Sequence, residues 1–207
     1  MIKRLLISLS FLLFAASTVH AATQQDPEDS LRSAVEQLQS LIHKNHKQYK
    51  ADPASFYEVV DKIVVPRFDV PYIGQIVLAR YWRTATPTQR KEFQSAFKTM
   101  LIRSYANALL ENAESTKVVW KPSRVDADAK RATVNTELVQ DTGQKYPISF
   151  SVHKIDGDWK IYDITVNNIS LALNFRSQIT ADVKRSGLDA VIKRMQSGQM
   201  TKPKPAS

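Results

Sequence analysis

Outside the first twenty residues, the side chains with the widest chemical range in this 207-residue sequence are His43, His46 and His153. His43 and His46 stand three apart, a spacing that sets two imidazoles on one side of a helix, where they could share a metal ion. No third ligand accompanies them: the chain has no cysteine, and the neighbours are Lys44, Asn45, Lys47 and Gln48. A solvated helix end fits the same residues. His153, in "HKIDGDW", has Asp156 and Asp158 close by, the pieces of a general base and its orienting carboxylate. It reads equally as a histidine at the edge of a hairpin. Asp126 and Asp128 pair two carboxylates in "RVDADAKR", a turn by composition, where they solvate the loop. No GxSxG nucleophile elbow is present. Only five glycines occur, with neither the dinucleotide-binding fingerprint nor a glycine-lysine phosphate loop among them. These residues assign no catalytic group, no metal and no cofactor.

The elements that carry them follow from periodicity. Met1–Ala21, "MIKRLLISLSFLLFAASTVHA", has cations at Lys3 and Arg4, an apolar run from Leu5 to Ala16, and Val19 and Ala21 at signal-peptidase spacing, so residues 1–21 are expected to be a cleaved signal peptide. The apolar run is shorter than the ~20 residues a membrane-spanning helix needs. The 207-residue chain minus this 21-residue leader leaves 186 residues, enough for one domain with one good core. Asp26-Pro27 and Asp52-Pro53 each cap and open a helix whose stripes run through Leu31, Ala34, Leu38 and Ile42, and through Phe56, Val59, Val60 and Ile63. A third helix is expected near Asp69. The fourth is the clearest: Thr86, Pro87 and Gln89 form a capping box, and Phe93, Ala96, Phe97, Met100, Leu101, Tyr105, Ala108 and Leu109 hold helical phase.

From Ser115 the period falls to two. "TKVVWKP", "ATVNTELV", "YPISFSVHKI" and "WKIYDITV" predict four antiparallel strands, with Asp141–Gln144 and Asp156-Gly157-Asp158 as turns. Two helices close the sequence, the first stopping near Gly187. The fold class is therefore α+β, several helices packed against a four-stranded antiparallel sheet, with residues 22–196 as a single domain and 197–207 as a disordered tail.

Net charge is +9, and +7 once Lys3 and Arg4 leave with the leader. For an exported chain this points to anionic membrane surfaces or acidic proteins, or to plain solubility, rather than to nucleic acid. The apolar surface is of two kinds, helical stripes and one face of the sheet. The two can fill each other as a packed core, or stand apart around an apolar cavity; periodicity does not separate these outcomes.

The run "VPRFDVPYIGQIVLARYWRTATPTQRKEFQSAFKTMLIRSYANAL", Val65 to Leu109, resembles the signature of the MlaC or toluene-tolerance family, the periplasmic phospholipid-binding components of the Mla lipid-transport system. Its parts are Pro66, Phe68 and Asp69, then "RYWRTATPTQRKEF", then Tyr105. A second match is "ITVNNISLALNFRSQ", Ile164 to Gln178, followed by "SGLDAVIKRM". Ala79 departs from the pattern, standing where the family often has glycine.

The resemblance implies a periplasmic carrier that is not an enzyme and needs neither metal nor nucleotide. Its cargo would be phospholipid, its partners an outer-membrane lipoprotein–porin complex and an inner-membrane ABC transporter with an MCE subunit. On that expectation Phe97, Leu101 and Tyr105 form one wall of a lipid cavity, and Val134, Leu138, Ile148, Phe150, Val152, Ile164 and Val166 the other. Leu171 and Phe175 close one side. Arg80, Arg83, Arg90 and Lys91, with Tyr81 and Trp82, are candidates for the mouth or a docking surface; the two aromatics could instead anchor their turn. An exported enzyme with an α+β cavity and a lipid-free adaptor are the competing classes.

Overall fold

The computed structural model describes residues 26–122, 125–126 and 128–200. The expected signal peptide, residues 1–21, lies outside the described residues, as do residues 201–207 of the expected tail. Met200 still belongs to the folded body, packing against the helical core with its N–H donating to the Arg194 carbonyl.

Local capping sets most of the helices. Helix α1, Pro27–Ala51, is capped by Asp26, and α2, Pro53–Ile63, by Asp52, each carboxylate accepting from a first-turn N–H. A single 3-10 turn, Val65–Arg67, then leads into α3, Val70–Leu78, where Asp69 Oδ1 accepts from the Tyr72 N–H at 2.9 Å. A short helix not expected from the sequence, α4, Arg80–Thr84, precedes α5, Pro87–Asn112, whose Thr86/Gln89 capping box is complete. The last two helices are α6, Leu171–Ser186, ended by Gly187 at φ 80°, and α7, Leu188–Gln196.

The antiparallel sheet has five strands where four were expected: β1 Thr116–Trp120, β2 Arg131–Gln140, β3 Lys145–Ile155, β4 Asp158–Val166 and the two-residue β5 Ile169–Ser170, in chain order. The addition is small because β5 pairs only with Thr165 and Val166 before Ser170 caps α6. A bulge opposite Ser151 and Val152 skips Tyr162. The extra residue keeps both Ile161 and Ile164 on the helix-facing side and turns Tyr162 to the other, where its ring meets Tyr72 and His153.

The interior is divided. One cluster lies among helices alone, with Val77, Phe93, Phe97, Met100, Phe175, Ile179 and Val191. A second joins α1, α2 and α5 through Ile42, Tyr49, Phe56, Val60, Ala106 and Leu110. A third sits on the sheet, where Leu31 of α1 and Phe68 cover Val134, Val152, Trp159 and Ile161. Among the described residues no helix is long and apolar enough to cross a membrane.

Candidate functional site

Helix α5 belongs to two of these clusters at once. Phe93, Ala96, Phe97 and Met100 face the helical cluster, and Ile102, Ala106 and Leu110 face the α1–α2 hairpin. At 100° per residue these stripes leave a third between them, made by Gln94, Lys98, Leu101, Tyr105 and Leu109. Its first two members are covered by the connection from α2 to α3: the Gln94 amide donates to the Pro71 carbonyl, and Lys98 pairs with Asp61 at 2.8 Å. That connection is tied in turn to β4 by the Asp69 N–H donating to the Ile161 carbonyl. Beyond Lys98, Leu101 and Tyr105 of this stripe are partly buried at the margin of the helical cluster.

The facing wall changes in the same direction. Near the covered end Val134 and Val152 are fully buried. Toward the other end Phe150 pairs with Ile164 and Ile148 with Val166, next to Leu138 on β2, and all five are only half-buried. Helix α5 packs chiefly on α7, α2, α3 and α1 rather than on the strands. The half-buried apolar residues of α5 and of the sheet are the candidate walls of an apolar cleft. Leu109 on α5, Ile169 on β5 and Leu173 on α6 are exposed by 44%, 41% and 54%.

The expected wall residues divide accordingly. Leu101, Tyr105, Leu138, Ile148, Phe150, Ile164, Val166 and Leu171 are half-buried. Phe97, Val134, Val152 and Phe175 are buried in the clusters, with the Phe97 and Phe175 rings edge-on at 5.1 Å. Leu109 was not singled out as a site residue, although its place four residues after Tyr105 could have shown it. Tyr105 itself has its phenol pKa raised by burial of the ring.

The basic group lies elsewhere. Arg80, Tyr81, Trp82, Arg83, Arg90 and Lys91 gather at the N-terminal end of α5, roughly 28 Å along the helix from Leu109. Tyr81 and Trp82 anchor their turn against the helical cluster, the Trp82 ring lying close over Gly74. Arg90 is committed to the same turn, its guanidinium 5.0 Å over the Trp82 ring and its Nε donating to the Trp82 carbonyl at 2.9 Å. Arg80, Arg83 and Lys91 are exposed cations.

The candidate chemical groups are placed structurally. His153 is no solvated hairpin edge: its Nε2 is 2.9 Å from Asp69 Oδ2, with both side chains largely buried and Tyr72 and Tyr162 stacked alongside. Asp156 and Asp158 stay in the turn, Asp156 at φ 50°. Asp126 and Asp128 are exposed, as is His43. Among the described residues no three histidine, cysteine or carboxylate side chains gather as a metal would need.

Comparison with known proteins fits this architecture. The family model described as MlaC protein matches residues 32–197. The chain belongs to the MlaC family. It is 33% identical over 198 residues to the toluene tolerance protein ttg2D of Pseudomonas putida, spanning 94% of this chain and 91% of that protein. It is 24% identical over 199 residues to the intermembrane phospholipid transport system binding protein MlaC of Haemophilus influenzae, spanning 94% and 92%. The structure of a phospholipid-binding protein from Ralstonia solanacearum, solved in complex with a phospholipid, superposes on this MlaC-family chain with a TM-score of 0.76 at 28% identity, covering 84% of this chain and 97% of that one.

Proposed function

We propose that this chain is a periplasmic phospholipid carrier, holding acyl chains in the cleft between α5 and the sheet and shuttling lipid between an outer-membrane lipoprotein–porin complex and an inner-membrane MCE–ABC transporter, so maintaining outer-membrane lipid asymmetry. The observation that carries the reading is apolar surface left incompletely buried on two elements: Leu101 and Tyr105, with exposed Leu109, on α5, and half-buried Leu138, Ile148, Phe150, Ile164 and Val166 on the sheet. Two relatives bear names for phospholipid binding or transport, which supports the same cargo.

The energetics suit the task. About 30 methylenes of a diacyl lipid at ~0.8 kcal/mol each represent roughly 24 kcal/mol of exposure to water, so a carrier must enclose nearly the whole of both chains. Relative to a bilayer the transfer is apolar to apolar, which leaves the cargo deliverable. The cleft walls supply no nucleophile or general base, so the reading requires no chemistry on the lipid.

The test is native mass spectrometry, with lipid extraction, on the full chain expressed in a Gram-negative periplasm and purified without detergent. Phospholipid retained at near-integer stoichiometry is the expected result. A folded protein that carries none, and takes up none from vesicles, would favour the lipid-free adaptor, and turnover of added lipid would favour the enzyme.

A further inference from the structure

Three polar side chains stand among the apolar residues assigned to the cleft walls: Thr136, Tyr146 and Tyr105. On the sheet side Thr136 is buried and already satisfied, its hydroxyl donating to the Ile148 carbonyl at 3.2 Å, and Tyr146 lies opposite Leu138 near the end of β3. On the α5 side stands Tyr105, between Leu101 and Leu109 at four-residue spacing. The Tyr105 ring is half-buried against the helical cluster, and among the described residues its hydroxyl has no hydrogen-bond partner. Burial alone raises its pKa, with no hydrogen bond or charge contributing. A phenol in such a place is a strong neutral donor on a side chain with only two torsions, so it is held in position before any ligand arrives.

Its height along the cleft selects the acceptor. Leu109, one helical turn further along α5, is 44% exposed and marks the rim; Tyr105 lies roughly 6 Å below it. Leu101, a further turn down, is apolar and packs against the helical cluster, where methylenes meet no donor. A charged phosphate belongs in water at the rim. The polar atoms of a diacyl glycerophospholipid that fall just below its phosphate are the two ester carbonyl oxygens.

Resting on the carrier reading above, we infer that the Tyr105 hydroxyl donates a hydrogen bond to an ester carbonyl of bound diacyl phospholipid and so fixes how deep the lipid sits. The carrier then distinguishes ester-linked from ether-linked lipid while remaining tolerant of head group.

The test compares Tyr105→Phe with wild type, both as the full chain stripped of lipid, for uptake of two phosphatidylglycerols with the same chains, one diester and one diether. Loss of one hydrogen bond corresponds to about a 3- to 10-fold change in affinity. Wild type should prefer the diester by that factor, and Tyr105→Phe should lose the preference by weakening diester binding alone. The variant keeps the ring, so the cleft and the fold are undisturbed. Equal diester binding by variant and wild type, or equal losses for both lipids, would overturn the inference and leave the carrier reading standing. Failure of wild type to take up either lipid would instead defeat the carrier reading, and the inference with it.

Discussion

Leu101→Asp places a carboxylate in the middle of the proposed α5 wall, between Phe97 and Tyr105. In the empty protein the cost is modest, since Leu101 is half-buried at the margin of the helical cluster and the new group meets water in the open cleft. We expect less than about 2 kcal/mol of destabilisation, from a poorer helix former and lost apolar contact. With acyl chains in the cleft the carboxylate loses that water. Leaving it ionised would cost several kcal/mol, so it takes up a proton instead. From an ordinary aspartate pKa near 3.9, neutralisation at pH 7 costs about 1.36 kcal/mol for each of ~3.1 units, or about 4 kcal/mol, which is roughly a thousandfold loss of affinity.

The sign of the pH dependence follows. Lipid binding raises the carboxyl pKa, so affinity recovers as pH falls, about tenfold per unit, and levels off near pH 4. Wild type should show no such slope. The assay is uptake of fluorescent phospholipid by stripped protein between pH 7 and pH 4.5, with circular dichroism to verify folding. A folded variant that binds within a few-fold of wild type at pH 7 would refute the placement of Leu101 against acyl chains.

Ala79 has φ 49° and ψ −119°, a conformation that only glycine adopts without strain, so Ala79→Gly should stabilise the fold by about 1 kcal/mol in urea denaturation; a loss of stability would contradict the strain. Arg90→Ala removes the clamp on α4 and should lower stability by about 1–2 kcal/mol while leaving lipid uptake unchanged, and lysine should restore little because it cannot copy the stacked, two-carbonyl geometry. Wild-type stability in Arg90→Lys would argue against that geometry. Asp69→Ala removes the α3 cap and leaves largely buried His153 without its partner, so thermal denaturation should register a loss of about 2–4 kcal/mol; a change under 0.5 kcal/mol would show the pair to be incidental.

What the sequence disclosed was what local chemistry determines. Asp26, Asp52 and Thr86 announce helices because a cap is satisfied within three residues, and all three caps form. Strand alternation was legible for the same reason, whereas β5, two residues long, has no period to read. The role of His153 was hidden, because its partner Asp69 is 84 residues away and nothing near "HKIDGDW" announces it. The cleft was hidden more deeply. Phe97 and Leu101 are both apolar and in phase on α5, yet Phe97 is sealed among Phe93 and Phe175 while Leu101 lies half-buried at the margin of that cluster, a difference set by long-range packing. The glycine-to-alanine departure at position 79 was visible beforehand, and its meaning came with the positive φ.

The most direct test of the account is to load the full chain with a diacyl phospholipid carrying a diazirine midway along one acyl chain, irradiate, and map the adducts by peptide mass spectrometry. The account predicts adducts on the α5 stripe from Leu101 to Leu109 and on Leu138, Ile148, Phe150 and Ile164 of the sheet. Adducts concentrated at Arg80–Thr84 and Lys91, with the α5 stripe and the inner face of the sheet unmodified, would contradict it.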